Sequence, residues 1–250
     1  MRAWLFAGCA MALAVSPMTA WAQQADDDWD FAQDAATGRT VALARYEAGQ
    51  MIVAECQAGV LRAALVGLPA TTGTHYTVEA RRADGRTDTQ VWSAAPGQTT
   101  FLTPTAARDS RFLRGGGMFE IHAAVGAPPV QATFDLPAQS ANLDRVLTAC
   151  GAPLQDDRDA MPVVRDLLFE ANRSPLPNAA MASPRPLIEV SCVVRTRELR
   201  ECRPTRVRPG FEDKDREAAE AMNERGVRIS GPRGPVPQGV VYTAVAAPTE

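Results

Sequence analysis

Strict alternation of apolar and polar positions marks the first half of the chain, and a different rhythm follows it. His75 to Arg82 alternates, with Tyr76, Val78 and Ala80 on one face and Thr77 and Glu79 on the other. A period of two predicts a half-buried strand. Asp84-Gly85 follows, a dipeptide suited to a two-residue hairpin turn, and Thr87 to Ser93, carrying Val91 and Trp92, is the returning strand. Met118 to Val125 alternates again, with Phe119, Ile121, Ala123 and Val125 inward and Glu120 and His122 outward. Gly126 to Pro129 turns the chain, and Val130, Ala132, Phe134 and Leu136 form one further inward face. Gln50 to Cys56 and Val60 to Leu68 read as an earlier hairpin. Short strands at regular spacing predict an antiparallel β-sandwich-like domain over residues 24–151.

The period changes to that of a helix at Leu143, Val146 and Leu147, with Ser140 as expected N-cap and Gly151 as stop signal. Ahead of the strands, Asp26, Asp27, Asp28 and Asp30 form a solvated leader, with Trp29 and Phe31 as first anchors. Residues 152–185 lose all period. Prolines recur there from Pro153 to Pro184, and the polar run Gln155 to Asp159 predicts a semi-extended linker docked on one neighbour. Two helical turns are expected between Val163 and Ala171, around Leu167, Leu168 and Phe169.

From residue 186 to 247 a new order of elements appears. Leu187 to Val194 and Leu199 to Val207 are two strands, and Pro209-Gly210-Phe211 precedes a helix-compatible stretch from Glu212 to Asn223 with the pair Ala218-Ala219. Val227 to Ser230, the turn Gly234-Pro235-Val236-Pro237 and a last strand from Val240 to Val245 complete it. This order resembles the TonB C-terminal domain, the periplasmic end of the TonB energy transducer, over about a quarter of the chain. One cysteine on each hairpin strand is similar to TonB-like modules of exported alphaproteobacterial proteins, whose sandwich-like leader the stretch Phe134-Asp135-Leu136-Pro137 and the terminal Cys150-Gly151 also resemble. The chain departs from the family at its hairpin turn. Arg195-Thr196-Arg197-Glu198 has no glycine and is one residue shorter, a change that shifts register and turns side chains to the opposite face. The membrane helix and the Pro/Lys-rich spacer that a working transducer needs are not found in it.

The first 22 residues read as a secretory signal peptide: Arg2, an apolar stretch from Ala3 to Val15, and the cleavage site Ala20-Trp21-Ala22 before Gln23. That stretch is too short to span a bilayer, so no membrane span is expected after cleavage, and the expected location is the periplasm. Cleavage also removes Cys9 and leaves Cys56, Cys150, Cys192 and Cys202. An even number of cysteines in an exported chain points to disulfides; of the three connectivities, sequence proximity and domain layout favour Cys56–Cys150 and Cys192–Cys202.

Charge narrows the partners. The chain has 26 basic and 29 acidic side chains, a net charge of −3, which argues against nucleic acid. All but one of the basic residues, Lys214, are arginine, in keeping with a chain rich in alanine, proline and glycine. No reaction is announced. His75 and His122 read as solvated histidines, and no serine has a nucleophile-elbow context. Asp156, Asp157 and Asp159 have no calcium-loop glycine, and Gly115-Gly116-Gly117 precedes a strand where a phosphate cradle would precede a helix. No catalytic residue, metal or cofactor is therefore expected. The expectation is a non-enzymatic periplasmic binding protein with a protein or peptide partner in the periplasm or at the outer membrane. The resemblance implies partner capture by strand addition, at an edge formed by Gln238, Gly239, Val240, Val241, Tyr242 and Thr243. The alternatives are an assembly factor at the outer membrane, a TonB-type transport component and an enzyme on envelope polymers.

Overall fold

A computed structural model describes residues 27–47, 49–70, 75–123, 131–164, 168–169, 187–226, 229–230 and 238–246. The signal peptide, the turn at 126–129 and the segment 234–237 lie outside them. The described chain is mostly β, and no helix in it is long and apolar enough to cross a membrane.

Nine antiparallel strands form one continuous sheet. In chain order they are β1 (Asp30–Asp34), β2 (Arg39–Arg45), β3 (Met51–Gln57), β4 (Val60–Val66), β5 (His75–Arg82), β6 (Thr87–Ser93), β7 (Thr100–Leu102), β8 (Gly117–Ala123) and β9 (Gln131–Leu136). Their spatial order is β1-β2-β3-β4-β7-β6-β5-β8-β9. The sandwich-like interior comes from this single sheet folding over on itself. Tyr46, just beyond β2, meets Phe134 of β9 edge-on at 5.0 Å, and Phe134 stacks on Phe119 at 5.9 Å. The alternation places the core where period two puts it: Val78, Ala80, Phe119, Ile121, Ala132, Phe134 and Leu136 are all buried.

Two helices close this domain, α1 (Ala106–Phe112) and α2 (Ala141–Ala149). The apolar stripe Leu143, Val146 and Leu147 of α2 is fully buried, and the Cys56–Cys150 disulfide ties the helix end to β3. Ser140 makes no side-chain cap. The Asp28 carboxylate does that work, accepting from the Asn142 N–H at 3.1 Å, while Asn142 Nδ2 donates to the Trp29 carbonyl at 2.8 Å. The acidic leader is thus partly structural, and Trp29 is buried.

The C-terminal module is a three-stranded antiparallel sheet of β11 (Leu187–Arg195), β12 (Glu198–Pro204) and β14 (Val240–Ala246), in the order β12-β11-β14, covered on one face by α3 (Glu212–Arg225). A two-stranded pair, β10 (Leu168–Phe169) with β13 (Ile229–Ser230), lies beside it in the chain order. The helical turns expected between Val163 and Ala171 are not what the described residues form: Val163 bridges to Val240 and Leu168–Phe169 is a strand. Prolines at 162 and 175 and the apolar run between them suit an extended chain that pairs with neighbours.

The glycine-free hairpin closes through Thr196 and Arg197, both at positive φ (46° and 73°), with Arg195 opposite Glu198. That register would set Cys192 opposite Glu201. A bulge corrects it. The register shifts by one between Val193 and Ser191, Glu201 takes a φ of 52°, and Cys202 comes to face Cys192 in the second disulfide. The extra residue therefore offsets the short turn.

Candidate functional site at the β14 edge and the inter-module seam

β14 is the outer strand of its sheet, so one row of its backbone groups has no partner inside the sheet. Register decides which row. Val194 N–H donates to the Gly239 carbonyl at 2.9 Å, and antiparallel bonding alternates, so Val241 and Thr243 turn their backbone groups toward β11. Val240, Tyr242 and Ala244 turn theirs outward. The groups of Val240 are already used: its N–H donates to the Pro162 carbonyl at 2.9 Å, and Val164 N–H donates to its carbonyl at 2.8 Å. Gly239 lets this segment approach, since a Cβ there would overlap the Pro162 carbonyl.

Of the expected edge residues, Gln238 is exposed, Gly239, Val240 and Val241 are buried, and Tyr242 is half-buried. Among the described residues no strand pairs with the outward groups of Tyr242 and Ala244. Ala244 is the edge position that the residue pattern does not reveal, because parity along the strand depends on which neighbour it pairs with. The opposite edge is closed at its centre. The Asn223 side chain of α3 accepts from Cys202 N–H at 2.7 Å and donates to the Cys202 carbonyl at 2.9 Å, as the peptide group of a further strand would.

The second face of the sheet packs on the N-terminal domain, which accounts for burial of both sides of β11 from Val190 to Val194. The contact is polar. Arg111 of α1 grips Asp159 with Nε and Nη2 at 2.6 and 2.7 Å and lies 3.7 Å from Asp156. Arg158, in a 3₁₀ turn (Asp157–Ala160), donates to the Ser191 carbonyl, to Ser191 Oγ at 2.7 Å and to the Glu201 carbonyl at the bulge. Arg203 of β12 pairs with Asp156 and Asp157. The segment 152–164 thus touches both modules, where one docked side was expected.

Farther along the seam, Arg206 donates to the Gly59 carbonyl, and Val207 N–H donates to the Gly151 carbonyl at 2.9 Å. Gly151 has φ +68°, and a Cβ on it would overlap the Val207 carbonyl. Arg108 of α1, bound to Asp88, lies 5.7 Å from the Tyr242 ring centroid. Burial raises the Asp109 carboxyl above its usual range despite Arg108 and bonds from Thr103 and Thr105, and it raises the Tyr242 hydroxyl likewise. The Glu189 carboxyl is pushed up to about 7, chiefly by burial.

His122 is half-exposed and 3.7 Å from Glu120, in line with its expected outward face. The side chain of His75 lies outside the described residues. Both disulfides are present, which fits an oxidising extracellular or periplasmic setting. The fold and its seam therefore define a two-module, disulfide-bonded β protein. No protein-family model, curated protein or solved structure matches the chain.

Proposed function

We propose that the chain is a non-enzymatic periplasmic protein whose C-terminal, TonB-like module binds an extended protein or peptide of the cell envelope by adding it as a strand to β14. The observation that carries this reading is the asymmetry of the three-stranded sheet. Its β12 edge is occupied by Asn223, whereas Tyr242 and Ala244 of β14 present backbone donors and acceptors outward. Such a row binds main chain and is indifferent to most side chains. Pro162–Val164 supports the reading, because it already pairs with this edge at Val240. Export is supported by the Ala20-Trp21-Ala22 site and by the two disulfides.

The test is in-cell photo-crosslinking of the exported protein from position 238, comparing Ala244→Pro with Ala244→Ser. Proline removes an outward N–H without breaking a bond to β11, so circular dichroism should be unchanged. Loss of the crosslinked species in the proline variant alone is expected. Equal capture by both variants would refute binding at this edge. Mass spectrometry of the same material should find Gln23 at the mature N-terminus.

A further inference from the structure

Glu189 lies on the face of β11 that meets the N-terminal domain, where burial opposes its charge more strongly than Arg206 and Thr205 support it. Although the residue keeps some exposure, its Oε1 is shut from solvent and has no hydrogen-bond partner among the described residues. Among the described residues none of the seam's ion pairs includes it.

The groups around Glu189 come from every packed element. From the exit of β12 come Thr205, whose N–H donates to the Glu189 carbonyl at 3.0 Å and whose side chain bonds the carboxyl through the oxygen other than Oε1, and Arg206, whose charge favours ionisation and which gives Nη1 to Gly59. Behind Arg206 stand Arg208 and Asp215 of α3, paired with each other at 2.9 Å. From α1 come Asp109, whose like charge opposes ionisation, and Arg111, which is committed to Asp159 and Asp156. From β14 come Ala244, directly opposite, and Tyr242, which feels Arg108, Arg111, Asp156 and Asp159. On β11 itself, the next residue on this face is Ser191, which is bound to Arg158. Arg206 is thus the one cation facing Glu189 that is not already held by a carboxylate among the described residues.

We propose that Glu189 is a proton-operated latch between the two modules: with its carboxyl neutral they stay docked, and with it ionised the seam loosens. The sign follows from the direction of the shift. The docked carboxyl titrates at about 7 against an ordinary 4.5, so docking takes up a proton. Its contribution is complete below about 4.5 and is lost as the pH rises through about 7. Loosening of the seam would uncover the Tyr242 face of β14, beside the partner edge.

The full mature chain is the material for the test. Hydrogen exchange at the Val207 amide reports the seam, and the amides of β3 report the nine-stranded sheet. After correction for intrinsic rates, protection at Val207 should fall at least ~10-fold from pH 5 to pH 8, within a bound of ~300-fold set by the two titration points, while β3 changes little. Glu189→Gln, which keeps the neutral shape, should abolish the fall. Protection at Val207 that is independent of pH, or a fall that persists in the glutamine variant, overturns the proposal. A ¹³C titration of the Glu189 carboxyl in the unaltered protein gives a second reading that needs no variant: a midpoint near 7 is expected, and one near 4.5 overturns the latch.

Discussion

The nine-stranded domain closes on Trp29, Trp92, Phe101, Phe119 and Phe134, all almost completely buried, whereas the described core of the C-terminal module holds no aromatic ring. The smaller core consists of Val164, Ile188, Val190, Val194, Leu199, Val241, two alanines and the Cys192–Cys202 bridge. An aromatic side chain buries roughly 150–250 Å² and a small aliphatic one much less, so hydrophobic stabilisation is unevenly shared. The module makes up part of the difference with its disulfide and with arginine bonds at the seam. Those bonds are directional and stabilise one docked arrangement, and breaking one leaves a buried charge without its partner.

Removing a ring from the larger core gives the largest expected effect. Phe134→Ala should cost about 3–5 kcal/mol and lower the main thermal transition seen by calorimetry. A loss below about 1 kcal/mol would mean that the ring contacts with Tyr46 and Phe119 do not hold the folded sheet closed. Arg111→Ala comes next. It should cost about 2–3 kcal/mol, less than a fully buried pair because Asp159 keeps some contact with water. Its effect should fall on the seam, so Val207 should lose exchange protection while β3 keeps it; equal losses at both would erase the distinction between the modules. The smallest expected effect is a difference between the two disulfides. The bridged residues are 94 positions apart in one and 10 in the other. Loss of Cys56–Cys150 should therefore exceed loss of Cys192–Cys202 by about 2 kcal/mol in the chain-entropy model, read from urea denaturation of the paired serine variants. A reversed order would show that the small core depends on its bridge for more than chain entropy.

Strands that alternate on the two sides of a hairpin, such as His75–Arg82 with Thr87–Ser93, were legible because one face is buried and the other is wet. The disulfide pairing was legible from the even cysteine count and the layout of two domains, each holding two cysteines. α1 was not: it has seven residues, and its buried set includes Arg108, Asp109, Ser110 and Arg111, so it shows no apolar period. The seam escaped in the same way. Arg206 meets Gly59 across 147 positions and Arg111 meets Asp159 across 48, and nothing near either arginine in sequence marks the partner. The run Gln155 to Asp159 looks like a solvated linker because charges that pair at a distance and charges that face water share one composition.

Asn223 bears on a hazard of every small sheet, growth by stacking strand on strand into fibres. Its amide occupies Cys202, the centre of the β12 edge, so an incoming chain can add at β14 but meets a filled position on the other side. Two copies joined at β14 would present to a third only β12 edges blocked at Cys202. Polymerisation through these sheets would end at a pair, and the side chain of one asparagine would set that limit.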